Sequence, residues 1–187
     1  EEVGLDVQTV RLATQPFPTV LRDHGPAKAV SFARGLESLC QAHGIDYCSI
    51  GPVVTTERGV ELGYIDAIPE VIRGTESAFG SVLVAERDSG ISLRGIAKAA
   101  DAIVEIAHST PDGFGNLRLA ILANCKPGSP FFPVSYHRGP RSRFSIATEA
   151  ADLAVEAFAQ AGILEEARKN LEQAVEEKAR IVEDVCG

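Results

Sequence analysis

A predicted strand over residues 116–124 carries polar side chains at alternate positions on one face. Asn116, Arg118 and Asn124 share that face, whereas the opposite face is apolar throughout. Arg11 lies on one face of an earlier predicted strand. A buried sheet is normally apolar on both faces, so this pattern predicts a polar interior or cleft.

Three environments are compatible with the two strand arginines, Arg11 and Arg118. A guanidinium could pair with a carboxylate inside the fold, because an unpaired buried charge is strongly unfavourable. It could grip the carboxylate or phosphate of a small anionic molecule in bidentate fashion, or it could face solvent. The second environment makes Arg11, Asn116, Arg118 and Asn124 candidate substrate-binding residues.

Another group of reactive side chains is the run Ser135-Tyr136-His137-Arg138. His137 is a candidate catalytic base, because the reference pKa of histidine lies near neutrality. Ser135 and Tyr136 are candidate substrate-binding residues beside it. The competing interpretation is a solvated loop histidine.

Other familiar catalytic patterns are missing from the sequence. Gly113-Phe114-Gly115 precedes a strand instead of following one, which favours a tight turn over a dinucleotide loop. The sequence contains neither a Gly-x-Ser-x-Gly elbow nor an HExxH motif. The four cysteines (Cys40, Cys48, Cys125 and Cys186) are widely spaced, which favours reduced thiols over disulfides or zinc. We therefore expect neither a metal nor a cofactor.

The elements that must position these residues alternate along the chain. Predicted strands cover 3–14, 46–50, 79–86, 116–124 and 144–147, and predicted helices cover 26–43, 66–73, 92–108, 149–161 and 163–186. Single-helix crossovers imply an α/β fold with mainly parallel strands, as an open sheet or a partial barrel. We expect one domain over residues 1–187. Sites in such folds gather where strands end, which here means residues 14–18, 51–55, 86–90 and 124–137.

Two predicted details matter later. In the helix that Ser92 caps, the apolar stripe predicted to be buried is Ile96, Ala100, Ile103, Val104 and Ala107. Residues 126–143, which we call the Pro-rich segment, contain four prolines and three aromatic residues. A coil of this length is usually functional or is ordered by a partner.

Composition excludes several classes of function. The net charge of −8 argues against nonspecific binding to nucleic acid or to anionic membranes. Apolar runs such as residues 81–85 are far too short to span a bilayer, and no signal peptide is visible. We therefore expect a cytoplasmic protein. The absence of methionine suggests that the amino terminus is trimmed or incompletely represented.

Several stretches, in this order along the chain, resemble domain-of-unknown-function family 711. They are Ser49-Ile50-Gly51-Pro52, Ala67-Ile68-Pro69-Glu70-Val71-Ile72, Gly90-Ile91-Ser92-Leu93-Arg94-Gly95-Ile96, residues 116–124, Pro130-Phe131-Phe132 and Tyr136-His137. The resemblance implies a fold like the barrel of pyruvate formate-lyase, with this chain matching the amino-terminal half of longer members. It does not imply radical chemistry, because the sequence lacks an Arg-Val-x-Gly glycyl loop.

Two functions fit these observations. One is an enzyme that acts on a small anionic metabolite at the strand ends. The other is a noncatalytic ligand-binding or regulatory subunit that self-associates, since the last predicted helix is apolar along one stripe. We expect a homo-oligomer in either case.

Overall fold

The computed structural model describes residues 6–186. Their contacts divide the chain into two units, one formed by residues 7–145 and the other containing residues 146–186. We describe each unit by itself, and the single domain expected over the whole chain stays a prediction.

The first unit alternates strands and helices, as predicted. Its strands are β1 (Arg11–Ala13), β2 (Tyr47–Val54), β3 (Ala78–Glu86), β4 (Gly90–Ile91) and β5 (Leu119–Ala123). Its helices are α1 (Phe17–Val20), α2 (Ala29–Ala42), α3 (Gly63–Asp66), α4 (Ile68–Gly74) and α5 (Leu93–Ser109), with 3-10 helices at Pro26–Lys28 and Pro111–Arg118.

The sheet is mainly parallel and does not close, which confirms the predicted α/β class. The parallel strands lie in the order β1-β2-β3-β5, and the short β4 pairs antiparallel with the end of β3. Each connection between consecutive parallel strands moves in the same direction across the sheet, so right-handed crossovers place the connecting helices on a single face.

The two faces of the sheet are packed against different elements. On the helix face, strand residues such as Ile50 and Val82 pack against α1 to α5 in one large core. We call the opposite side the coil face. There Val54, Leu83 and Leu122 form a smaller cluster with Val134 of the Pro-rich segment.

The first two strands differ from the prediction. The strand predicted over 3–14 is regular only at Arg11–Ala13, and residues 3–5 lie outside the described residues. β2 was expected to stop at Gly51-Pro52 but continues to Val54. The register shifts between Ser49 and Pro52, and Gly51 adopts a φ of +76°, so a bulge carries the strand past the proline.

The helix predicted over 66–73 also differs. The observed helices are α3 and α4, with Asp66 at the end of α3, and its carboxylate pairs with Lys98 of α5.

Helix α5 has the predicted limits, and the Ser92 hydroxyl caps it by accepting from Gly95 N–H at 3.1 Å. The predicted buried stripe was wrong, because the buried residues are Gly95, Ala99, Ala102 and Ile106, and the predicted stripe is exposed. A Cβ at Gly95 would lie 2.4 Å from Thr55 Oγ1, so a ridge of small residues lets this helix approach the sheet closely.

The second unit contains α6 (Ala151–Ala159) and α7 (Leu164–Cys186), which contact each other. Ala157 of α6 and Ala167 of α7 are buried, and Asn170 Nδ2 donates to Ala157 O at 3.4 Å. Both helices were predicted. The strand predicted over 144–147 was wrong, since those residues have no regular structure. Among the residues described, no helix is both long and apolar enough to cross a membrane.

Candidate functional site

Residues 132–137 of the Pro-rich segment run along the coil face from the amino ends of the strands to their carboxyl ends. Phe132 packs against Phe79 near the amino end, with ring centroids 4.8 Å apart. Val134 joins the cluster around Leu83 further along. At the carboxyl end, His137 N–H donates to Thr14 O at 2.9 Å. The segment therefore brings its own polar residues to the edge where parallel strands present their following loops.

A polar cluster forms at that carboxyl edge. Arg138 pairs with Glu57, which follows β2, and the Thr56 hydroxyl donates to the carboxylate of Glu86 at the end of β3. Glu86 lies in one of the four predicted strand-end segments, whereas Thr56, Glu57 and Arg138 lie just beyond the predicted ends of two others. We call Thr56, Glu57, Glu86, Cys125, Tyr136, His137 and Arg138 the carboxyl-edge cluster.

Tyr136 is the buried member of the cluster. Its hydroxyl donates to Cys125 O at 3.1 Å, and its side chain is 3% exposed. Burial raises the pKa of Tyr136, Arg138 lowers it, and the nearby acidic groups Glu86 and Glu57 raise it. The phenol is therefore neutral at physiological pH and serves as a hydrogen-bond donor.

His137 is held by both its backbone and its ring. Nε2 lies 2.8 Å from Gly139 O. A carbonyl oxygen only accepts, so a neutral His137 carries its proton on Nε2 and leaves Nδ1 free to accept one. This is the tautomer that a general base acting through Nδ1 requires.

Two other predicted site residues reach the same region. Asn124 follows β5 in a left-handed conformation, with a φ of +56°, and its N–H donates to Ala85 O at 2.8 Å. Ser135 N–H donates to Phe131 O at 2.6 Å. The structure therefore brings Asn124, Ser135, Tyr136 and His137 to one side of the sheet, next to the residues that follow the strands.

Arg118 is placed differently from the prediction. It precedes β5, at the end of a 3-10 helix, so it does not share a strand face with Asn124. Its guanidinium donates to Thr75 Oγ1 at 3.1 Å, to Ala78 O at 3.2 Å and to Ile72 O. Burial lowers the pKa of Arg118, and nearby Glu37 and Glu76 raise it. These contacts supply a structural role; substrate binding by Arg118 stays a prediction.

Arg11 and Asn116 also lie away from the carboxyl edge. The Arg11 guanidinium carbon is 5.8 Å from the ring centroid of Tyr47 and 5.4 Å from that of Phe132. Asn116 donates through Nδ2 to Ile103 O at 3.1 Å, and its buried Oδ1 finds no hydrogen-bond partner among residues 6–186.

Glu37 was not among the predicted site residues. Its carboxylate contacts the loop between α4 and β3, which Arg118 also contacts. One carboxylate oxygen accepts from Glu76 N–H at 2.8 Å, from Ser77 N–H at 2.5 Å and from the Ser77 hydroxyl at 2.9 Å. Burial alone would raise the pKa of Glu37, but these donors and Arg118 lower it overall. The available signal was a charged residue in line with the buried Ala29, Ala33 and Cys40 of α2.

Comparison with known proteins identifies the family. The family model described as Uncharacterised ACR (DUF711) matches residues 1–187. The chain belongs to the DUF711 family. This confirms the resemblance drawn from the sequence stretches, and the family is uncharacterised, so membership assigns no function. The likeness to the pyruvate formate-lyase barrel stays an expectation.

Curated relatives of this DUF711 chain carry the name UPF0210 protein. The one from Methanopyrus kandleri is 30% identical over 143 residues, which cover 73% of this chain and 32% of that protein. Those from Oleidesulfovibrio alaskensis and Clostridium beijerinckii are 31% and 29% identical over 141 residues, covering 73% of this chain and 31% of each. The matched stretch is about a third of these relatives' length, less than the half that the resemblance implied.

Metal ligands and two of the four cysteines of this DUF711 chain can be assessed in residues 6–186. Within residues 6–186, no group of three or more His, Cys, Asp or Glu side chains is arranged to hold a metal ion. Cys40 and Cys48 are buried thiols in contact, and burial raises the pKa of Cys48 to about 12. A thiol that stays protonated is a poor nucleophile.

Proposed function

We propose that this chain contributes to an enzyme that acts on a small anionic metabolite at the carboxyl edge of its sheet. The observation that carries the proposal is the path of the Pro-rich segment. It delivers Tyr136, His137 and Arg138 to the loops that follow the parallel strands, where α/β folds bind their ligands.

Each proposed role follows from a contact. His137 takes a proton at Nδ1, because its Nε2 is engaged by Gly139 O. Tyr136 stays neutral and can donate a hydrogen bond once a substrate displaces its contact with Cys125 O. Asn124 and Ser135 are proposed to bind substrate beside these two residues.

Arg138 is the proposed anion ligand at this edge. Its partner, Glu57, is about half exposed, and the Arg138 side chain is 43% exposed. An ion pair this accessible contributes little to stability, so a substrate carboxylate or phosphate can replace Glu57 at small cost. Arg11 and Arg118 lie elsewhere and are not needed for this step.

The test is a thermal-shift screen of the protein against a panel of small carboxylates and phosphates. A ligand at 100 times its Kd stabilises by about 2.7 kcal/mol, which is roughly 5–10 °C for a chain of this size. Arg138→Gln should abolish the shift, whereas Glu57→Gln should strengthen binding because it frees Arg138. Any hit is then followed by NMR for turnover, with His137→Asn expected to lose at least 100-fold in rate.

The matched control is His43→Asn, which removes an exposed histidine at the end of α2. It should change neither binding nor turnover. Unchanged shifts in Arg138→Gln, or turnover retained in His137→Asn, would refute the site. A cytoplasmic location and homo-oligomerisation stay predictions.

A further inference from the structure

An aromatic cage with an arginine in it lies on the coil face, at the end opposite the carboxyl-edge cluster. Phe132 is its centre. The Phe79 ring meets Phe132 at 4.8 Å and an interplanar angle of 73°, and the Tyr47 ring meets Phe79 at 5.7 Å and 88°. The guanidinium carbon of Arg11 is 5.4 Å from the Phe132 ring centroid.

Beside this cage lies a hydroxyl that the fold leaves without a partner. Ser81 sits on β3 between Phe79 and Leu83 and shares their face by alternation. It is fully buried, and its Oγ has no hydrogen-bond partner among the residues that the structure describes. The Pro-rich segment contacts the sheet on either side of Ser81, through Phe132 and Val134.

Both features suit one kind of ligand. An arginine stacked against aromatic rings can offer in-plane N–H groups to a carboxylate. The rings offer a slot for a flat apolar body, now filled by the Phe132 side chain. Strand spacing and rise place the Cα atoms of Arg11 and Ser81 roughly 16 Å apart, a distance that the long arginine side chain and a benzoate-sized molecule together can span.

We propose that the coil face holds a second binding site, for an aromatic carboxylate with a polar group at the far end of its ring. Phe132 occupies the ring position in this structure. On binding, the ligand ring replaces Phe132 between Phe79 and Arg11, its carboxylate pairs with Arg11, and its far polar group hydrogen-bonds to Ser81. The Pro-rich segment leaves the amino end of the coil face as this happens.

This site does not depend on the proposed enzyme function, since its residues differ from those of the carboxyl-edge cluster. The test uses 4-hydroxybenzoate as the probe and calorimetry as the readout. Phe132→Ala should bind the probe at least tenfold more tightly than the original protein, because the slot is already empty. Phe131→Ala is the matched control, because Phe131 is adjacent in sequence and 68% exposed.

Two double variants test the polar ends. In the Phe132→Ala background, Arg11→Gln should weaken binding at least tenfold, and Ser81→Ala should weaken it several-fold. The uncharged 4-hydroxybenzamide should bind at least tenfold more weakly than the acid. Equal binding by Phe132→Ala and Phe131→Ala, or no effect of Arg11→Gln, would show an adventitious cavity only and overturn the proposal.

If Phe132→Ala fails to fold, a measurement on the unaltered protein still tests the proposal. Saturating 4-hydroxybenzoate should speed amide hydrogen exchange at Ser135, whose N–H now donates to Phe131 O. The exchange of Val82 in β3 should not change. An unchanged rate at Ser135 under saturating probe would equally overturn the proposal.

Discussion

Arg118 fixes the loop between α4 and β3, so replacing it should destabilise the first unit substantially. Its guanidinium makes three hydrogen bonds, all to groups between Ile72 and Ala78. A hydrogen bond to a charged group contributes about 1.5–3 kcal/mol, and an acceptor left buried and unpaired costs about 1–3 kcal/mol. Arg118 is half-buried, so water can re-pair part of this set, and we expect Arg118→Ala to cost about 2–4 kcal/mol.

Urea unfolding followed by tyrosine fluorescence measures this cost. The chain has three tyrosines and no tryptophan, and Tyr47, Tyr64 and Tyr136 all lie in the first unit. The signal therefore reports that unit alone. In thermal melts the same loss corresponds to roughly 5–15 °C.

The matched control is Arg22→Ala, which removes an exposed arginine of the same unit and should stay within about 0.5 kcal/mol. A cost of Arg118→Ala no larger than that of Arg22→Ala would refute the structural role. Loss of anion binding at full stability would instead restore Arg118 as a substrate ligand.

Three further predictions concern the same unit. Glu37→Gln should destabilise the protein at pH 6 but progressively less towards pH 3, as measured by urea unfolding midpoints. The pKa of Glu37 is lowered in the folded protein, so its stabilising contribution is present above the unfolded pKa. That contribution is lost as the pH falls through the folded pKa. Ile106→Ala should lower the free energy of unfolding by about 2–5 kcal/mol. Ile103 lies on the same helix and is 39% exposed, so Ile103→Ala should lower it by less than about 1 kcal/mol; equal losses would contradict the observed orientation of α5 on the sheet. Gly51→Ala should lower the melting temperature clearly more than Gly59→Ala, because both glycines have a φ of +76° but only at Gly51 would the new Cβ meet backbone, 2.4 Å from Gln15 O.

The order of elements and the meeting of strand ends were predictable because they depend on local patterns and chain connectivity. Alternating strands and helices fix a parallel sheet, and a parallel sheet places the segments after Ala13, Val54 and Ala123 at one edge. The Pro-rich segment was recognisable as unusual, and His137 within it as a titratable group. Its route along the coil face depends on contacts with three strands, which no local pattern reveals.

Two features of the structure were not predictable from local sequence. Helix α5 has two stripes at helical spacing, one of large apolar residues and one containing Gly95, Ala99 and Ala102, and periodicity alone cannot rank them. The helix packs on the sheet through the stripe of small residues, because Thr55 lies too close to Gly95 for a larger residue there. Arg118 likewise binds acceptors about 40 residues away in sequence, so only the folded chain could identify them.

The strand order explains why residues outside the helices and strands form the candidate site. In a doubly wound sheet the strand order reverses, and the two helices that diverge there leave a ready crevice for a ligand. Here the order β1-β2-β3-β5 never reverses, so the helix layer provides no such crevice. Within residues 7–145 the Pro-rich segment covers the other face of the sheet. Phe132 at one end and Tyr136 and His137 at the other mark the two places on the coil face where we propose that a ligand binds.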